Sequence, residues 1–132
     1  MIVLDASIVV ELIRNGALAD RIRTELAIAQ EEIAVPHLLD VEVANALRGL
    51  AAGQRIDAHD ARRMLANLAQ LPAERYPHTP LMERVWELRH NFTADDAVYL
   101  ALAEITDSAL FTCDEKLTTG HRAQIRLFVN GA

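Results

Sequence analysis

Short β-branched and aliphatic runs alternate with longer segments of helical apolar spacing along this whole chain, and that alternation leaves few architectures open. Ile2-Val3-Leu4 is a first apolar run and Ile33-Ala34-Val35 a second, closed by Pro36; Ser108 to Cys113 is a third and Ile125 to Val129 a last. Glu74-Arg75-Tyr76, bounded by Pro77 and Pro80, suits a short edge strand. Between these runs, Leu18, Ile22, Leu26 and Ala29 share a helical stripe over 17–30. Leu39, Val43, Ala46, Leu47 and Leu50 share another over 37–51, with Gly53 as its stop. Ser7 is placed to cap a helix over about 8–14 that stops near Asn15-Gly16. Asp57 or Asp60 opens a helix that runs through Leu68 to Leu71-Pro72, further helices fit 80–90 and 94–106, and Asp114 to Thr119 fits a short turn or helix. Strands alternating with helices predict an α/β domain with a mostly parallel sheet.

The 132 residues suffice for one domain, spanning 1–132. A chain of this length buries roughly two-thirds of the surface it exposes when unfolded, so it needs no covalent staple. The single cysteine, Cys113, excludes an internal disulfide and a cysteine-cluster zinc site. With 52% hydrophobic but only 5% aromatic residues, the core must be aliphatic. No apolar run reaches the ~20 residues that cross a bilayer. The chain opens on Met1-Ile2-Val3-Leu4-Asp5 with no basic leader, so a soluble cytoplasmic protein with no membrane partner is expected. Thirteen basic residues, twelve of them Arg with Lys116 the only lysine, face nineteen acidic ones, for a formal net charge of −6. That balance argues against a broad basic grip on nucleic acid, but it leaves room for an enzyme that meets a phosphodiester through bound metal.

Four acids stand where solvated surface residues are not expected. Asp5 and Asp114 directly follow apolar strands, and in an open parallel sheet ligands bind at the carboxyl ends of the strands. Each also suits a helix or turn cap. Glu42 has Leu38, Leu39 and Ala46 as its i−4, i−3 and i+4 neighbours, which puts it on the margin of an apolar stripe. A carboxylate buried there wants a cation or a hydrogen-bonding network; an exposed acid bordering the core is the plain alternative. Asp96 opens an almost wholly apolar run in Thr93-Ala94-Asp95-Asp96, which has the form of a capping box with Asp in place of Glu. Capping explains one carboxylate at that point better than two. Unit charges 4 Å apart repel by about 4 kcal/mol at an effective dielectric of 20. A cluster of four would therefore raise its pKa values, splay, or bind a divalent cation. Oxygen-only ligation selects Mg²⁺ or Mn²⁺ over Zn²⁺, and such ions serve phosphoryl chemistry. The five histidines, His37, His59, His78, His90 and His121, show no ligand or triad spacing.

Val3-Leu4-Asp5-Ala6-Ser7, then Leu39-Asp40-Val41-Glu42-Val43-Ala44-Asn45-Ala46-Leu47, then Asp96-Ala97-Val98-Tyr99-Leu100-Ala101-Leu102-Ala103, then Phe111-Thr112-Cys113-Asp114 together resemble the PIN-domain family. The closest likeness is to the VapC-type toxins of prokaryotic toxin–antitoxin pairs, and it spans the chain in order and spacing. The resemblance implies a three-layer α/β/α fold with a parallel sheet of four or five strands. It implies a Mg²⁺- or Mn²⁺-dependent endoribonuclease, usually a homodimer, that is inhibited by a cognate VapB-like antitoxin whose C-terminal segment wraps the toxin. The family's metal-binding acids carry over onto Asp5, Glu42, Asp96 and Asp114, with Ser7 and Thr112 as supporting hydroxyls that orient a carboxylate or a metal-bound water. The family position before the third acid is usually not acidic; here it is Asp95, either a supporting acid or itself the ligand. Asp40 presents a milder form of the same choice beside Glu42. Two rivals remain at this point: a receiver-like signalling module, phosphorylated on a strand-end Asp, and a catalytically silent binding protein of the PIN fold.

Overall fold

A computed structural model describes residues 1–131 of the protein. The chain runs β1 (Ile2–Leu4), α1 (Ala6–Ile13), α2 (Ala19–Ala29), β2 (Ile33–Pro36), α3 (Leu38–Ala52), α4 (Ala58–Leu68), β3 (Ala73–Tyr76), a 3₁₀ turn (Thr79–Leu81), α5 (Met82–Glu87), α6 (Ala94–Ile105), β4 (Ala109–Thr112), a second 3₁₀ turn (Glu115–Leu117) and β5 (Gln124–Leu127). All five strands are parallel, in the order β3-β2-β1-β4-β5. Helices α1 to α4 pack with one another, α5 packs on α6, and α6 also lies across β1, β2 and β4. The result is the expected α/β/α sandwich with five strands.

The central strands owe their place to their composition. Ile2, Val3 and Leu4 are buried on both faces, as are Leu110 and Phe111 of β4, which is the pattern of a parallel strand covered by helices on each side. From Ala97 to Ala103 every residue of α6 is buried. Fully burying one Leu or Val side chain contributes about 2 kcal/mol, so α6 anchors the sheet despite its acidic first turn.

From β1 the chain builds β2 and β3 to one side, then returns to lay β4 and β5 on the other. The seam between β1 and β4 is therefore the topological switch point, where the connections at the carboxyl ends diverge and leave a crevice. Asp5 follows β1 at that seam and Thr112 closes β4. Receiver-type domains order their strands 2-1-3-4-5, so the sheet does not match the receiver-like alternative.

Several local expectations need correction. The cap of α1 is Asp5, whose side chain accepts from Ile8 N, and not Ser7, which lies inside the first turn. An Asp followed at once by helix supplies the stronger acceptor at the N-cap position. Thr93 holds the N-cap position of α6, yet its hydroxyl makes no capping bond to the helix backbone. The helix expected over 80–90 is a 3₁₀ turn followed by the short α5. Leu88 N is shared between the Arg84 and Val85 carbonyls and Arg89 N bonds Trp86 O, a tightening that ends the helix before the turn into α6. Asp57, not Asp60, caps α4. Asn15 takes φ +52, and Gly16 beside it leaves no room for a Cβ under the Glu11 carboxylate.

Candidate active site

The carboxyl edge of the β1–β4 seam gathers the acids singled out from the sequence. Asp5 is only 6% exposed. Its Oδ1 accepts from Ser7 Oγ at 2.5 Å and from Ile8 N at 3.1 Å, and its Oδ2 accepts from the Thr112 hydroxyl. Burial pushes Asp5 above the usual carboxylate range, while these hydroxyl and backbone donors pull it back down. Ser7 Oγ in turn accepts from Cys113 N at 3.0 Å, and Thr112 Oγ1 accepts from Asp114 N at 3.0 Å. Both supporting hydroxyls thus tie the end of β1 to the end of β4. Asp114 caps the following 3₁₀ turn, its Oδ1 accepting from Lys116 N at 2.9 Å while the Lys116 ammonium stands 4.0 Å from Oδ2.

Glu42 and Asp96 come from α3 and α6. Glu42 is half-buried, and Tyr99 OH donates to its Oε1 at 2.5 Å. Burial, reinforced by the Asp95 and Asp96 carboxylates and opposed by the phenol, pushes Glu42 up to about 7. Asp96 is raised by burial first, then by the charges of Asp95 and Asp114, with Lys116 opposing. Asp95 is exposed and is held below its ordinary value by the Thr93 side chain. The two adjacent acids are therefore not equivalent: Asp96 feels Asp114 across the crevice, whereas Asp95 faces Glu42. Asp40 lies elsewhere, clamped by Arg75 at 2.8 and 2.9 Å.

Sequence reasoning passed over two members of this edge. Tyr99 is a phenol in an otherwise apolar stretch, three residues after Asp96, and that spacing is its signal. Lys116 stood out as the lone lysine, two residues after Asp114, and its approach to the Asp114 carboxylate depends on the turn. Of the histidines, His121 bonds Leu117 O and Ala123 N and packs on Phe92, so it orders the loop before β5.

Among the described residues, no three His, Cys, Asp or Glu side chains close on a single point that would hold an ion. The structure brings the acids to one edge in coupled pairs and not into a finished shell. Like charges at this density hold apart unless a cation stands between them. The donor set nevertheless fits a hard divalent ion by its chemistry. Its ligand atoms are all oxygen, and Asp5, Glu42 and Asp96 are each raised, so their ionised forms want a counter-charge.

Residues 2–119 match the PIN domain family. The chain is 43% identical over 129 residues to the VapC ribonuclease Mb0985 of Mycobacterium bovis, covering 98% of each chain. It is 39% identical over 133 aligned positions to Ribonuclease VapC12 of Mycobacterium tuberculosis, covering 96% of this chain and 98% of that one. Among solved structures it is similar to PAE2754 from Pyrobaculum aerophilum, with a TM-score of 0.73 at 26% identity over 94% of this chain and 81% of the other. The fold is also that of VapBC2 from Rickettsia felis bound to a DNA fragment from their promoter, with a TM-score of 0.71 at 14% identity over 98% and 100% of the two chains. A sheet with its acids at the β1–β4 seam, together with these full-length likenesses, places the chain in the PIN-domain family, within its VapC branch.

Proposed function

We propose that the chain is an endoribonuclease that hydrolyses RNA phosphodiester bonds with the help of Mg²⁺ or Mn²⁺, acting as the toxin of a VapBC-type pair. The observation that carries this reading is the full-length likeness to VapC ribonucleases in a chain whose acids line the switch-point crevice. Asp5, Glu42, Asp96 and Asp114 would hold the ion. Bound there, a divalent cation supplies polarisation of the scissile phosphate and a lowered pKa for the attacking water.

The chain's own residues supply the rest. Ser7 and Thr112 fix both Asp5 oxygens, so the most buried acid needs little reorganisation. Glu42, raised to about 7 by burial without the ion, would release its proton on taking the ion up. Tyr99 holds that carboxylate in place, and Asp95 tunes it. Lys116 puts a positive charge beside Asp114, where an RNA phosphate approaches.

The partner in this reading is a VapB-like antitoxin with a cationic segment that suits an acidic crevice, and the toxin works as a homodimer in the cytoplasm. A toxin–antitoxin complex from Klebsiella pneumoniae is similar to this chain in fold. Among the described residues no helix is long and apolar enough to cross a membrane. Incubating the purified protein with labelled single-stranded RNA and Mg²⁺ or Mn²⁺ tests the proposal. Expected is internal cleavage that a chelator stops and that Asp96→Asn lacks. A silent binding protein would bind RNA or antitoxin and cleave nothing in any metal.

A further inference from the structure

A cavity of about 440 Å³ opens beside the acids, lined by Ser7, Val10, Glu11, Leu18, Ala46 and Phe128 among others. Ser7, Val10 and Glu11 are i, i+3 and i+4 on α1 and so form one face. Ala46 lies one turn beyond Glu42 on α3. Ser7 belongs to both places, since its hydroxyl holds Asp5 and accepts from Cys113 N. A group seated in the cavity is therefore one side chain away from the acid centre.

The chemistry of the walls selects the occupant. Among the described residues no Lys or Arg lines the cavity itself; Arg21 stands behind its wall, donating to Val129 O at 3.1 Å. Val10 and Ala46 are half-buried apolar side chains that suit the faces of a planar ring, over a floor closed by the buried Leu18 and Phe128. Among the described residues Glu11 is the only charged side chain in the lining. It is pinned by Leu18 N donating to Oε2 at 3.1 Å and by Gly16 beneath it, and among the described residues Oε1 has no hydrogen-bond partner. A fixed carboxylate at the rim of an apolar slot asks for adjacent N–H donors on the edge of a flat ligand.

We propose that this cavity is a nucleobase subsite, that it takes a base flanking the scissile phosphate, and that Glu11 makes it prefer guanine. Guanine presents its ring N–H and 2-amino group side by side, matching a carboxylate, whereas a base without that pair leaves Glu11 desolvated and unmatched. The inference rests on the ribonuclease reading for its substrate, and it adds the sequence preference.

The test compares single-stranded RNAs that carry guanine or inosine, which lacks the 2-amino group, at each position flanking the mapped cut. Wild-type kcat/KM should fall about tenfold at one flanking position on that change. Glu11→Gln, which keeps an acceptor for Leu18 N, should cleave both RNAs alike and melt as the wild type does. Ala46→Leu, which fills the cavity, should raise KM on all RNAs with little change in kcat. A separate arm follows the Val10 and Leu18 methyl resonances, which should shift with guanosine monophosphate and not with uridine monophosphate. Cleavage without a flanking preference, or a preference that Glu11→Gln leaves intact, overturns the subsite alone. So does loss of antitoxin binding in Glu11→Gln and Ala46→Leu with RNA preference unchanged, which would assign the cavity to a protein partner. Methyl shifts with guanosine monophosphate in a protein that cuts no RNA would uphold the base site while sinking the ribonuclease reading; neither shifts nor cleavage overturns both.

Discussion

Thr112 Oγ1 donates to Asp5 Oδ2 while accepting from Asp114 N at 3.0 Å, so one hydroxyl links the first and the fourth acids across the β1–β4 seam. The link is fully buried, since Thr112 is 0% exposed. Thr112→Val keeps the shape and removes the donor, which leaves a buried carboxylate oxygen unpaired. Urea melts should show a loss of about 2 kcal/mol, and RNA cleavage should fall with it, while Thr112→Ser should retain most of both. Full cleavage in Thr112→Val would show that Asp5 needs no such positioning.

The pH dependence follows from Glu42, whose carboxyl is raised from 4.5 to about 7. A carboxyl raised on folding binds its proton more tightly in the folded chain. Its stabilising contribution is therefore present below about pH 4.5 and is lost as pH rises through about 7. Thermal melts in a chelator should accordingly fall across that window, as the shifts of Asp5 and Asp96 also demand. Mn²⁺ should restore more of the loss at pH 8 than at pH 6, because the ligands must be deprotonated to bind it. Equal metal stabilisation at both values would speak against Glu42 as a ligand.

Tyr99→Phe removes the donor that opposes the rise of Glu42. The midpoint of the cleavage–pH profile should move to higher pH, with an unchanged plateau. A profile that keeps its midpoint would mean that Glu42 does not set it.

Asp95 and Asp96 should separate cleanly. Asp96→Asn, like Asp5→Asn, should abolish cleavage with the circular dichroism spectrum intact. Asp95→Asn takes away a charge that raises Glu42, so its cleavage profile should move to lower pH while activity persists. Inactivity of Asp95→Asn at every pH, with Asp96→Asn active, would reverse the assignment.

Asp40 is expected to act as a brace. Arg75 clamps its carboxylate and also donates to Leu68 O, joining α3, α4 and β3. Asp40→Ala should cost about 1 kcal/mol of stability and leave cleavage unchanged. A lost activity with a normal melt would move Asp40 into the site.

The order of elements and most strand identities were legible in the chain because buried parallel strands are written as continuous aliphatic runs and amphipathic helices as a repeating stripe, whereas the family was legible only through the resemblance of the four acid-bearing motifs. Asp5 and Asp114 were legible for the same reason, as polar residues that end such runs. Local sequence chose poorly between Ser7 and Asp5 as the cap of α1, and it preferred Asp96 to Asp95 only through the resemblance of the motif that follows. Those choices depend on what lies across the seam: Thr112 and Cys113 for the first pair, Glu42 and Asp114 for the second. Hydrogen bonds and charge act over a few ångströms in space, whatever the distance along the chain. The alternation of apolar runs therefore determined the α/β class by itself, and only the tertiary structure decided the strand order and which acid faces which partner, because the 3-2-1-4-5 order brings residues a hundred positions apart to one edge.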